Sequence, residues 1–267
     1  FRVTGARFVD DGALVLANSG TSELVYLDRA GRLERRFGRA GSGPGEFRGM
    51  STLDVDRSGN LTVYDPRELR LTRLTPAGDV VETIRLSSED AVVDLLPLSE
   101  LVDGRILAVF GAVRSFRLSG ESRDTVPLVL IDPALIDPAG ARWDTLSTWA
   151  AREWAYFQFA GGVTRTEVGF GRDLVYSGRS GRVALGSTDS LSVAVFDETG
   201  NLAMQITGWG PVGTVDLETA DRWRAEFLEQ RSQAPPEILR LLEDVPHRDS
   251  YPAFEYPLVD AVGRVWI

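Results

Sequence analysis

Short runs of alternating apolar and polar residues dominate this chain, and most begin or end beside a glycine. Leu53-Asp54-Val55-Asp56 and Leu61-Thr62-Val63-Tyr64 are two such runs. Alternation with period two places every second side chain on one face, which is the pattern of a half-buried antiparallel strand. A turn closing in glycine precedes the apolar run at Asp11-Gly12, Ser58-Gly59, Asp103-Gly104, Ser180-Gly181 and Val262-Gly263. A second phrase runs from an apolar strand into a glycine turn, at Tyr26–Gly31, Arg73–Gly78, Val195–Gly200 and, in a longer copy, Ile131–Gly140. The two phrases alternate. Gly12 to Gly31, Gly59 to Gly78 and Gly181 to Gly200 are each 19 residues apart, and Gly104 to Gly140 is 36. Glycine at each turn supplies the positive φ that tight hairpins need.

Four short strands per unit of about 45 residues is the pattern of a propeller blade. With strands A to D running outward from the axis, the first glycine of each unit marks an A–B turn and the second a C–D turn. The predicted fold is all-β: a six-bladed β-propeller of four-stranded antiparallel blades, carrying a two-helix insertion. Blade units fall at about 1–47, 48–90, 91–150 and 151–213, the insertion at about 214–247, and a further blade starts within 251–267. Phe1 and the strand-like ending Gly263–Ile267 lead us to expect residues missing at both ends.

The connector Gly38-Arg39-Ala40-Gly41-Ser42-Gly43-Pro44-Gly45-Glu46-Phe47 resembles the glycine-rich connector of NHL-type propellers. More narrowly, the chain is similar to bacterial six-bladed β-propeller proteins that are often exported or lipid-anchored. The resemblance implies six blades, a ring closed by terminal strands, and an extracytoplasmic (periplasmic or cell-surface) location. The connector itself reads as structural: Pro44 fixes φ, Gly43 and Gly45 permit the chain reversal, and Phe47 packs between blades.

Alternating strand direction puts B–C loops and D–A connections on one rim. Gly12 to Asp28, Gly59 to Thr75 and Gly181 to Asp197 are each 16 residues, but Gly104 to Asp132 is 28. Twelve extra residues therefore belong to the third B–C hairpin, around 110–117, and five to its C–D turn. Trp149 to Phe170 is a long D–A segment holding the aromatic cluster Trp154, Tyr156, Phe157 and Phe159. The next D–A connection reads as two helices. The first spans about Val215–Arg231, with Leu217, Ala220, Trp223 and Phe227 as its apolar stripe. The second starts at Pro235-Pro236 and buries Ile238, Leu241, Leu242 and Val245. All three large insertions share one rim, so that rim is the expected binding surface.

Composition narrows the chemistry. Net charge is −10 and all 29 basic residues are arginine, so a nucleic-acid partner is disfavoured. With no cysteine there is no disulfide or thiolate chemistry. The single histidine, His247, reads as a solvated loop residue, and no Gly-x-Ser-x-Gly elbow is present. Related propellers that act as lyases use more than one histidine, so the resemblance does not bring that activity. Asp54–Asn60 with Asp65 imitates half of an EF-hand loop but lies in strands, which makes it a hairpin.

On the insertion-bearing rim, Asn18, Glu23, Asp65, Arg67, Arg70, Arg114 and Asp189 offer polar contacts, and Phe116, Trp154 and Trp223 offer aromatic ones. The expectation is a non-catalytic binding or scaffolding propeller with a protein partner, serving as an accessory subunit of a larger membrane-associated assembly. It needs no cofactor. The alternative is a calcium-dependent hydrolase or lactonase with carboxylates lining the channel; sugar binding through the aromatic cluster is a weaker third reading.

Overall fold

Every glycine turn that the spacing marks and the structure describes has the left-handed backbone it needs. In the computed structural model, described over residues 2–9, 12–55, 59–86, 95–110, 119–133, 143–208, 212–260 and 262–267, eight turn glycines share one φ. Gly12, Gly31, Gly59, Gly78, Gly104, Gly181, Gly200 and Gly263 lie between +76° and +86°. Gly140 lies outside the described residues.

The turns separate four-stranded antiparallel sheets. The first contains β1 (Val3–Phe8), β2 (Leu14–Asn18), β3 (Glu23–Leu27) and β4 (Leu33–Phe37). A small parallel pair in the connector, β5 (Arg39–Ala40) and β6 (Glu46–Phe47), leads to the second sheet. That sheet contains β7 (Thr52–Val55), β8 (Leu61–Asp65), β9 (Arg70–Leu74) and β10 (Val80–Arg85). The third contains β11 (Leu95–Glu100), β12 (Ile106–Phe110), β13 (Gly120–Ile131), β14 (Trp143–Phe159) and an additional β15 (Gly162–Glu167). The fourth contains β16 (Leu174–Arg179), β17 (Arg182–Ser187), β18 (Ser192–Phe196) and β19 (Leu202–Thr207). Two helices, α1 (Leu217–Glu229) and α2 (Pro236–Leu242), precede a two-stranded sheet, β20 (Leu258–Val259) and β21 (Val265–Trp266).

The alternation along each strand decides how the sheets stack. In the third sheet Ile106, Ala108, Val129 and Ile131 pack with Tyr64 and Leu71 of the second. Leu107, Val109, Leu128 and Leu130 point the other way, onto Leu174, Val183, Leu185 and Phe196 of the fourth. Leu61, Val63 and Leu74 of the second sheet pack with Val15, Ala17 and Leu24 of the first, around a fully buried Phe47. Ala184, Val193 and Val195 pack on Val259 and Phe254 beside the last sheet. A core between each pair of successive sheets, rather than one core between two layers, makes this a β-propeller arrangement. The outward faces at the two ends of the series carry half-covered apolar residues, Phe8 (61% exposed) at one and Leu258 (58%) with Trp266 (56%) at the other.

First strands meet at the hub. Asp54 of β7 accepts a hydrogen bond from Ser99 of β11 (2.7 Å), and Ser99 accepts one from the N–H of Gly181 (3.0 Å). Arg7 of β1 stands 3.8 Å from Asp54 and donates to the Gly178 carbonyl of β16 at 3.3 Å. Burial is the largest influence on both partners: it raises the Asp54 carboxyl above its ordinary value and lowers the Arg7 guanidinium. The resemblance to an EF-hand is thus superficial. Asp54 ties inner strands together, and Asp65 accepts from the N–H groups of Arg48 (2.7 Å), Arg67 (3.0 Å) and Glu68 (3.3 Å). Asp56–Ser58 lie outside the described residues.

Candidate functional site: a ribbon and a helix pair on one rim

The long third blade is not built as the spacing suggested. Strand β12 covers β13 only at Leu128–Ile131, whereas β14 pairs with β13 from Gly120 onward. Gly120–Pro127 and the matching part of β14 therefore continue beyond the blade on the B–C rim. Trp149–Phe170, expected as a long D–A segment, extends β14 to Phe159 and turns back as β15, pairing Trp154–Phe159 with Gly162–Glu167. The insertion is a three-stranded ribbon. Along β14, Trp154 and Tyr156 fall on one face and Phe157 and Phe159 on the other.

The helix pair docks on this ribbon. Asp216 caps α1, its Oδ1 accepting from the N–H of Thr219 at 2.8 Å, and Pro236 opens α2. Phe227, Leu242 and Val245 are buried together, with Phe157 of the ribbon and Trp223 against them. The apolar stripe was placed one turn too early: Leu217 is 81% exposed, because burial begins at Ala220. Trp223 stacks with Phe170 (5.7 Å between ring centroids) and Phe227 (5.2 Å), and its indole lies over Gly169. The two ends of the insertion are stapled to each other. Tyr251 N–H donates to Gly213 (2.9 Å), and Val215 N–H to Asp249 (2.9 Å). His247 is not the solvated residue expected. Its segment bridges Gly169, with Gly169 N–H on Pro246 (2.9 Å) and Arg248 N–H on Gly169 (2.8 Å), while Nδ1 faces Arg224 Nη2 at 3.3 Å.

Charges lock the assembly. Arg248 reaches Glu121 Oε2 (2.6 Å) and Glu153 Oε1 (3.0 Å), and Glu153 also accepts from the Arg172 N–H at 2.7 Å. Burial works against ionisation of Glu153, but these donors outweigh it and hold the carboxyl below its usual range. Arg123 of the ribbon grips Asp189 of the fourth blade with both nitrogens, at 2.6 and 2.8 Å, and those bonds hold Asp189 below its ordinary value.

The expected contact residues that the structure describes divide into three groups. Asn18 and Asp65 are 0% exposed and Arg70 is buried. Asn18 Oδ1 accepts from the Arg2 N–H (2.9 Å) and Gly20 N–H (3.2 Å), while Arg70 donates to the Ser42 carbonyl at 2.6 Å and to that of Glu46. All three spend their polar atoms on the backbone of neighbouring turns, as the short polar side chains of Asn18 and Asp65 readily do. Glu23 pairs with Arg36 at 2.9 Å, and Arg67 is exposed. Trp154, Asp189 and Trp223 all belong to the ribbon–helix assembly, Trp154 lying beneath Arg165 (4.3 Å) and Arg152 (5.8 Å). Arg114 and Phe116 lie outside the described residues. Sequence reasoning missed Arg123, Glu153, Arg172 and Arg248. Glu153 and Arg248 stand 95 residues apart, and no local spacing announces such a pair.

No family model matches this chain, and no curated protein matches it. Solved structures similar to it include a virginiamycin B lyase from Staphylococcus aureus, with TM-score 0.40 and 11% identity over 78% of this chain and 71% of that one. A Bacteroides fragilis protein described as exported has TM-score 0.39 and 12% identity over 93% and 88%. The β-propeller domain of Myceliophteria thermophila Cps50 (Swd1) has TM-score 0.33 and 11% identity over 78% and 87%. Likeness this low carries no argument about chemistry; the propeller arrangement rests on the inter-sheet cores described above.

Proposed function

We propose that this chain is a binding propeller without catalytic chemistry, recognising a protein partner through the rim that bears the ribbon and the helix pair. The observation that carries it is the pinning of the helix pair to the ribbon. Arg248, Trp223 and Gly169 convert two insertions, far apart in sequence, into one rigid raised surface. Rigid scaffolds that elevate insertions on one face are a common basis for recognition. In this reading the complete ring has six blades, and the protein works outside the cytoplasm as an accessory subunit of a membrane-associated assembly. Among the described residues no helix is long and apolar enough to cross a membrane.

The stapled ends make the reading testable. Gly213 and Tyr251 already lie together, so replacing residues 214–247 with a short glycine linker leaves the four blades folded. The expected result is a cooperative melt with loss of partner capture from the native host. Retained capture by the folded deletion protein contradicts the proposal.

A further inference from the structure

β15 is the outermost strand of the third sheet, and its edge has a defined chemistry. Val168 N–H donates to the Glu153 carbonyl of β14 at 3.3 Å, so the alternate residues Gly162, Thr164 and Thr166 turn their backbone groups towards β14. Val163, Arg165 and Glu167 therefore point theirs outward, in one row with Gly169. The far end of that row already carries an added segment. Gly169 N–H donates to the Pro246 carbonyl (2.9 Å) and its carbonyl accepts from Arg248 N–H (2.8 Å), which makes a parallel bridge to His247. Val163, Arg165 and Glu167 are exposed, and among the described residues no hydrogen bond meets their outward backbone groups.

The first, second and fourth sheets protect the corresponding edge. Each of their outermost strands carries a residue with nothing opposite it: Glu34 in β4, Val81 in β10 and Ala203 in β19. Such bulges twist an edge out of the geometry that another chain needs. β15 instead pairs with β14 residue for residue from Gly162 to Glu167, contains no proline, and has β-branched side chains at Val163, Thr164 and Thr166. A regular, uninterrupted edge is a template for a further strand. Arg165 supplies selectivity. It lies over the Trp154 ring at 4.3 Å and makes no ion pair among the described residues, whereas Glu167, next in the row, is paired with Arg152.

We propose that β15 receives an extended segment of the partner protein as a further strand of the third sheet, with an acidic side chain opposite Arg165 and apolar ones flanking it. A second copy of this chain suits the edge less well. Antiparallel pairing centred on Arg165 sets two arginines opposite each other, and matching Arg165 to Glu167 brings Val163 against Gly169, whose outward groups are already spent. This inference rests on the reading of the rim as a docking surface and specifies how that surface holds its partner.

The test uses blocked pentapeptides, added at millimolar concentration to the ¹⁵N-labelled full chain. They are acetyl-Thr-Val-Glu-Val-Thr-amide, the same peptide with lysine at its centre, and the glutamate peptide methylated on every backbone nitrogen. The expected result with the glutamate peptide is shifted signals and slowed exchange at the amides of Val163, Arg165 and Glu167. Thr164 and Thr166 change little, because β14 already holds their N–H groups. That alternation marks strand addition and does not arise from a side-chain contact. The lysine peptide binds about fivefold more weakly, and Arg165→Glu reverses the order of the two. The methylated peptide gives no response. Silence at β15, an equal response along residues 163–167, or an undiminished response to the methylated peptide overturns the inference. The alternating pattern appearing with rising concentration of the chain alone assigns the edge to a second copy and overturns it as well. An unresponsive β15 with partner capture still dependent on residues 214–247 refutes strand addition and spares the rim. A responsive β15 with capture independent of 214–247 does the reverse.

Discussion

Replacing Gly169 with alanine puts one methyl carbon where the Trp223 indole lies. A Cβ at Gly169 meets Trp223 Cη2 at 2.5 Å, Cζ3 at 2.6 Å and Cζ2 at 2.8 Å. Carbon atoms settle about 3.5–4.0 Å apart, so something must move by about 1 Å. The backbone at 169 is held on both sides by Pro246 and Arg248, which leaves the indole to yield. Overpacking of this kind costs about 1–3 kcal/mol. Losing the stacking on Phe170 and Phe227 adds about 0.5–1.5 kcal/mol per pair. Gly169 does not have a left-handed φ, so alanine suits the backbone and restricts the unfolded chain, returning about 0.4–1 kcal/mol. The expected net loss is about 1–5.6 kcal/mol, the upper end if both stacking contacts are lost, read by urea unfolding, with hydrogen exchange accelerating in α1 while the blade strands stay protected. In a Trp223→Ala background the clash has no target, so Gly169→Ala becomes neutral or mildly stabilising. An equal cost in both backgrounds, or faster exchange spread evenly over the blades, refutes the docking of the helix pair through this contact.

Two predictions concern the hub. Burial raises the Asp54 carboxyl, so the folded state holds that proton more tightly than the unfolded chain does. Stability from this group is therefore present at low pH and is lost as pH rises above the ordinary carboxylate value of 3.8. Asp54→Asn removes that loss, and its melting temperature gains on the wild type as pH increases; parallel profiles contradict the account. Ser99→Ala deletes a bond to a carboxylate and strands the Gly181 N–H, costing about 1.5–3 kcal/mol by chemical denaturation; an unchanged midpoint contradicts it.

The blades were legible because each depends on local chemistry: a glycine with positive φ at a fixed interval and strands that alternate. Gly59 and Gly78 can be placed from their neighbours alone. Helix α1 was legible from Asp216 and the spacing of Ala220, Trp223 and Phe227, although Leu217 misled because periodicity does not say where packing begins. The ribbon was not legible. Trp149–Phe170 lacks the glycine interval of the blades, and its first strand forms by pairing with Gly120–Pro127, a partner that residue counting cannot name. Likewise, Asn18, Asp65 and Arg70 looked available because loop positions are usually exposed, while the backbone groups that consume them appear only once the turns close. The Arg248–Glu153 and Arg123–Asp189 pairs are long-range consequences of the fold.

The claim that the raised rim is the recognition surface is tested most directly by hydrogen-exchange footprinting of this chain bound to its native partner. Protection is expected at Gly120–Arg123, Trp154–Phe170 and Leu217–Val245, with the turns at Gly12, Gly59, Gly104 and Gly181 exchanging as in the free protein. Protection of those turns with the ribbon and helices unchanged would place recognition on the opposite rim and contradict the account.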